Sequence, residues 1–94
     1  MAATLSSEDI ASRLEALVGW TREGDAIRKT FKLASFPAAI AFVTHVGFLA
    51  EAAGHHPDID IRWRSVTLTL TTHDAGGLTE KDFALAAQID EILG

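Results

Sequence analysis

The sequence predicts an α+β fold in which three helices lie on one face of a four-stranded antiparallel sheet. Three observations predict it. Apolar residues recur at helical spacing in three separated stretches, two pairs of alternating stretches stand between them, and each helical stretch opens on a capping signal. The element order is therefore α-β-β-α-β-β-α, and connections this short favour antiparallel neighbours with the helices collected on one side. The chain shows no internal repeat, linker or low-complexity segment, so residues 1–94 read as one domain. A chain of this length has room for one core, burying a little over about 60% of the surface its unfolded form exposes.

The first helix starts at Ser6, with Asp9 in a box-like position and Leu5 stapled against Ile10. Ile10, Leu14 and Leu17 follow at helical spacing, and Gly19 supplies a left-handed stop. Trp20 opens a short first strand and belongs to the core. After a turn at Glu23 to Asp25, the stretch Ile27 to Leu33 alternates, with Ile27, Phe31 and Leu33 on the buried side. Arg28, Lys29 and Lys32 read as a solvated strand face. Ser35 and Pro37 then start a second helix that runs to Ala53 with very little charge. A helix apolar on more than one side must be covered on more than one side, either beneath the sheet or partly by another subunit. His45 on it reads as a packed or interface histidine. Gly54 ends that helix immediately before His55. The last helix repeats the first one's start, with Leu78, Thr79, Asp82 and Phe83 as cap, box and staple, and carries Leu85, Ile89 and Ile92 as its stripe.

Composition excludes several classes. A net charge of −5 argues against a general phosphate-backbone binder, because nucleic-acid affinity rests on basic neutralisation. With no cysteine there is neither a disulfide framework nor a thiolate site. The N-terminus lacks a basic region followed by an apolar run, and no apolar stretch reads as long enough to span a bilayer, so a cytoplasmic location is the default expectation.

The stretch Glu51 to Leu78, EAAGHHPDIDIRWRSVTLTLTTHDAGGL, holds three of the four histidines. If Arg64 and Ser65 form a two-residue hairpin loop, Trp63 faces Val66, Ile61 faces Leu68 and Ile59 faces Leu70, so apolar meets apolar throughout. The other parity is polar and ends with His56 opposite His73. This register predicts that two imidazoles distant in sequence meet at the open end of a hairpin, flanked by His55, Thr71, Thr72 and Asp74. Glu51, one helical turn before His55, is expected close beneath the pair, where a carboxylate orients an imidazole and favours its protonated form.

These residues resemble the pterin-4a-carbinolamine dehydratase family, also called the dimerisation-cofactor family. The match covers nearly the whole chain. Its specific part is Glu51 with His55-His56-Pro57, followed at fixed distance by Trp63, by Val66 to His73 and by Asp74 to Leu78. The resemblance implies a four-stranded antiparallel sheet with three helices, and an activity: dehydration of 4a-hydroxytetrahydrobiopterin to the quinonoid dihydropterin, which recycles the pterin cofactor. It implies His55 and His73 as the acid/base pair, Glu51 as a supporting carboxylate, and His56, Pro57, Thr71, Thr72, Asp74 and Trp63 as substrate contacts. Neither a metal nor a cofactor is implied. A homodimer or homotetramer is, in agreement with the apolar second helix and an uncovered sheet edge. The chain departs from the pattern at Gly54, where many members carry Asp, at Ile59, where many have Trp, and at Arg64, where Asn is common; these positions bear on the rim of the pocket.

Two other functions compete. Three histidines could hold zinc with an open fourth position, although neighbouring residues of an HH pair seldom reach one ion. The fold could also act as a non-catalytic dimerisation or assembly module, since fold alone does not imply an enzyme.

Overall fold

Capping chemistry sets the helix starts of this chain, and a computed structural model describes residues 3–94 accordingly. Helix α1 (Ser7–Glu15) begins where the Ser6 hydroxyl accepts from the Asp9 N–H. Helix α2 (Phe36–Ala53) begins where Ser35 accepts from the Ala38 N–H, with Pro37 in the first turn. Helix α3 (Glu80–Ile92) carries a complete box between Thr79 and Asp82. Between them run β1 (Thr21–Glu23), β2 (Ala26–Lys32), β3 (Asp58–Arg62) and β4 (Ser65–Leu70), paired antiparallel in the order β1-β2-β4-β3. The α+β architecture is the expected one.

The inward parity of the sheet makes the core. Ile27 and Phe31 of β2 and Val66, Leu68 and Leu70 of β4 are buried, and α2 covers them with Ala39, Phe42, Val46 and Ala50, a stripe of helical period. Phe31 joins the layers, packing edge-on to Trp20 at 6.1 Å and tilted against Phe42 at 4.9 Å. Helix α3 closes the same side with Phe83, Leu85, Ala86 and Ile89.

Four expectations need correction. Helix α1 ends at Glu15, because Ala16 and Leu17 donate to carbonyls three residues back and tighten the chain into turns before Gly19 is reached. Gly19 instead adopts φ +91° where Lys29 crosses it, and a Cβ there would lie 2.9 Å from Lys29 Cε. Lys29 is not on the solvated face. Its place between Ile27 and Phe31, opposite Leu68, points it towards the helices. There its ammonium donates to Asp90 Oδ1 and the Val18 carbonyl, both at 2.9 Å, and lies 4.8 Å over the Phe31 ring. Asp90 also accepts from Trp20 Nε1 at 3.1 Å, so α3 supplies the counter-charge that permits an inward lysine.

The hairpin register is displaced by two residues. Ile61 pairs with Val66 and Ile59 with Leu68, and the loop is Trp63–Arg64. A displacement of two preserves which side chains face inward, so apolar alternation cannot distinguish the registers. The observed one lets the Arg64 carbonyl accept from the Leu33 N–H, carrying the β2–β4 ladder up to the turn. Trp63 takes φ 56° as a result. Finally, α2 is by length and composition apolar enough to cross a membrane, contrary to the expectation that no stretch is. Its contacts here are those of a core helix, one face against β4 and α3.

Candidate active site

Two walls converge on one cleft, and each is fixed by backbone geometry before any side chain is considered. The first begins at the end of α2. Gly54 adopts φ 62°, ψ 33°; its N–H donates to the Glu51 carbonyl and the His55 N–H to the Ala50 carbonyl. This double closure satisfies the last carbonyls of the helix and pins His55 one residue beyond it. A Cβ on Gly54 would meet nothing within 4 Å, so the left-handed backbone angle, and not a close neighbour, is what favours glycine here. His55 turns inward, with its side chain 10% exposed, while His56 turns outward and meets Glu51 through Nε2–Oε1 at 2.8 Å.

The second wall follows β4. The Thr72 carbonyl accepts from the N–H groups of Ala75, Gly76 and Gly77, and the Thr72 N–H donates to the Gly77 carbonyl. That closes a short 3-10 turn at His73–Ala75, with Gly76 in the left-handed region at φ 78°. The turn lifts His73 and Asp74 to the surface beside the cleft. Thr71 is tied down by its hydroxyl, which donates to the Asp25 carbonyl at 2.5 Å.

The floor comes from the start of α3, a region the sequence reading treated only as a cap. Asp82 is fully buried. Its Oδ2 accepts from the Thr79 N–H at 2.9 Å and the Thr72 hydroxyl at 2.8 Å, and its Oδ1 lies 2.5 Å from His55 Nε2. The Thr79 and Thr72 hydroxyls are 2.8 Å apart. Asp82 and Lys81, which reaches the cleft, were both missed as site residues. The only signal for Asp82 was its place in a capping box, which says nothing of where its second oxygen points.

The cleft has a volume of about 230 Å³ and is lined by Gly54, His55, His56, Thr71, Thr72, His73, Asp74 and Lys81. Six of the nine residues anticipated for the site are therefore brought together. Glu51 touches the site through His56 and is itself largely exposed. Pro57 is half-buried beside the rim and does not line the cleft. Trp63 stands in the hairpin loop, separated from the cleft by the five residues of β3, roughly 17 Å of extended chain. His56 does not face His73 across a strand ladder either. β3 begins at Asp58, and continuing its register would set position 56 opposite Thr71. The histidines meet across a cleft between two turns. Among the described residues, no three His, Cys, Asp or Glu side chains form a set that could hold a metal ion, which is the geometry the zinc alternative needs.

The family model described as pterin 4 alpha carbinolamine dehydratase matches residues 3–92. The chain belongs to that family. A relative from Roseiflexus sp. (strain RS-1) is 73% identical over 93 residues, covering 99% of this chain and all of the relative. One from Chloroflexus aurantiacus is 70% identical over 90 residues, covering 96% and 97%. Both are named, provisionally, as pterin-4-alpha-carbinolamine dehydratases. Among solved structures, a transcriptional coactivator/pterin dehydratase from Brucella melitensis superposes with a TM-score of 0.93 at 32% identity, over 97% of this chain and 99% of that one. A pterin dehydratase-like protein identified as a RuBisCO assembly factor in the alpha-carboxysome superposes with a TM-score of 0.65 at 28% identity, over 80% and 87%. The pterin dehydratase fold is thus the fold of this chain, and it is also found in a protein with an assembly role.

Proposed function

We propose that the chain dehydrates a 4a-hydroxytetrahydropterin to the quinonoid dihydropterin, with His55 and His73 moving the protons. The reaction breaks the C4a–O bond and forms a C4a–N5 double bond. The hydroxyl leaves as water once it receives a proton, and the N5 proton is taken up by a base, so protons and electrons balance without a redox partner. Imidazole suits both roles because its ordinary pKa of about 6.5 keeps acid and base forms together near neutral pH. His56, Thr71, Thr72 and Asp74 contact the ring in this reading, and Glu51 holds His56 at the rim.

A single observation carries the proposal: His55 and His73, from different elements, line one cleft whose remaining wall is polar. The test is the decay of chemically generated 4a-hydroxytetrahydropterin with and without protein. The expected result is acceleration by the wild-type chain, lost by roughly 10²- to 10⁴-fold in His55→Ala and in His73→Ala. Wild-type protein that left the decay at its rate in buffer would refute it.

The likeness to an assembly factor keeps a second reading in view, a dimerisation or assembly module without turnover. A homo-oligomer belongs to either reading. Phe36, Ile40 and Phe48 of α2 are exposed, as are Ile59 and Ile61 on the inward side of the edge strand β3, and a second copy of the chain would cover them. Sedimentation equilibrium tests this. A dimer or tetramer that falls apart in Phe48→Asp is expected, and a monomer at micromolar concentration would contradict it.

A further inference from the structure

Asp82 is a fully buried carboxylate that no step of the proposed reaction uses. Its surroundings fix the direction of every hydrogen bond around it. The Thr79 N–H can only donate, so Asp82 Oδ2 accepts from it at 2.9 Å. A carboxylate can only accept, so Asp82 Oδ2 takes the single Thr72 hydroxyl proton at 2.8 Å, and the Thr79 hydroxyl, whose oxygen also accepts from the Lys81 N–H at 3.3 Å, is the donor to Thr72 Oγ1, 2.8 Å away. All the donors in this chain point towards the carboxylate. Its remaining oxygen, Oδ1, faces His55 Nε2 at 2.5 Å and is satisfied when that nitrogen carries a hydrogen.

We infer that Asp82 is a positioning residue that holds His55 as the Nε2–H tautomer, leaving Nδ1 as the nitrogen that exchanges a proton with the molecule in the cleft. The catalytic half of this inference rests on the dehydratase reading; the tautomer does not. The capping box of α3 thereby acquires a second task. The oxygen that caps the helix anchors the carboxylate, and the other sets which ring nitrogen of His55 is basic. In the neutral ring only one nitrogen has a lone pair, and with the Nε2 hydrogen held by Asp82 it is Nδ1 of His55 that can take a proton from the molecule in the cleft.

The same network makes Asp82→Asn a directed test. The Thr79 N–H, which cannot accept, and the Thr72 hydroxyl hold the amide oxygen at the Oδ2 position. The amide NH₂ then faces His55 Nε2, which must accept, and the ring hydrogen moves to Nδ1. Helix capping and shape are kept while the tautomer is reversed.

The measurement is the ¹⁵N spectrum of the histidine side chains at a pH where the rings are neutral, with His55 assigned by its loss in His55→Gln, combined with steady-state kinetics. In the wild-type chain Nε2 is expected to be the protonated nitrogen of His55 and Nδ1 the bare one. Asp82→Asn is expected to exchange them and to lower kcat by roughly 10²- to 10⁴-fold, with KM changed less than threefold. A wild-type His55 protonated on Nδ1 overturns the inference without any variant having to fold. A reversed tautomer with unchanged kcat overturns its catalytic half. Wild-type protein with the stated tautomer and no turnover overturns the dehydratase reading and supports the tautomer assignment.

Discussion

Two imidazole–carboxylate pairs stand within a few residues of each other and behave as opposites. His55 and Asp82 lie at 2.5 Å with side chains 10% and 0% exposed, and His56 and Glu51 lie at 2.8 Å with side chains 65% and 81% exposed. The distances are similar; the surroundings are not. Asp82 has two further donors on its other oxygen, so it cannot turn without breaking the cap of α3. Glu51 meets His56 alone, among the contacts of its carboxylate, in a solvent that screens the pair. The lesson is that a short contact does not by itself make a group rigid. The number of other bonds held by the partner does. A buried ring held on the inner wall and an exposed one at the rim suit the proposed reaction, which needs a proton aimed and a substrate admitted.

Substitutions can break this contrast or sharpen it. The largest effect is expected on the reaction. His55→Ala should lower kcat by roughly 10²- to 10⁴-fold, whereas His56→Ala should act mainly by raising KM, as steady-state kinetics would resolve. Next comes stability. Asp82→Ala leaves the Thr79 N–H, the Thr72 hydroxyl and His55 without their acceptor, and urea unfolding should show a loss of about 2 to 4 kcal/mol. The matching change at the rim, Glu51→Ala, should stay within about 0.5 kcal/mol. Equal losses in the two variants would erase the distinction between the pairs. On activity, Glu51→Ala should lower kcat/KM by about twofold to fivefold, in keeping with an exposed pair worth at most about 1 kcal/mol. An unchanged rate would remove Glu51 from the site altogether. The smallest effect is expected at the hairpin loop. Trp63→Gly relieves a left-handed tryptophan and should raise unfolding stability by about 0.5 to 1 kcal/mol. Its turnover should stay within twofold, since the loop lies at the far end of β3.

Much of the fold was legible because its signals are local. Ser6, Ser35 and Thr79 announce helix starts through side chains that bond within three residues, and Gly54 announces a helix end through a backbone angle. What could not be read depends on partners distant in sequence. Nothing beside Lys29 predicts that Asp90 will meet it 61 residues later, so an inward lysine looks like a solvated one. The strand register fails for a different reason. Two alignments of β3 on β4 bury the same side chains, and the choice between them involves a third strand, through the bond from Leu33 to Arg64.

The site divides along the same line. His55, His56 and His73 follow from a motif and a turn, and they do line one cavity, although the route is a helix end and a 3-10 turn rather than a ladder of paired strands. Asp82 was named as a capping residue and went unrecognised as a partner of His55, because a helix cap is visible in sequence and the direction of a carboxylate's free oxygen is not. Trp63 was expected at the pocket because the family resemblance implies it there; in this chain it sits in the hairpin loop, with the whole of β3 between it and the cleft.

The central claim is that histidines from two separate turns share one pterin-binding cleft. Titration of ¹⁵N-histidine-labelled protein with 7,8-dihydrobiopterin, a stable relative of the product, tests it most directly, with His45 as internal control about 15 Å away along α2. The side-chain signals of His55, His56 and His73 should shift together along one saturation curve while His45 stays still. Saturable binding that moves His45 and leaves the other three unchanged would contradict the account.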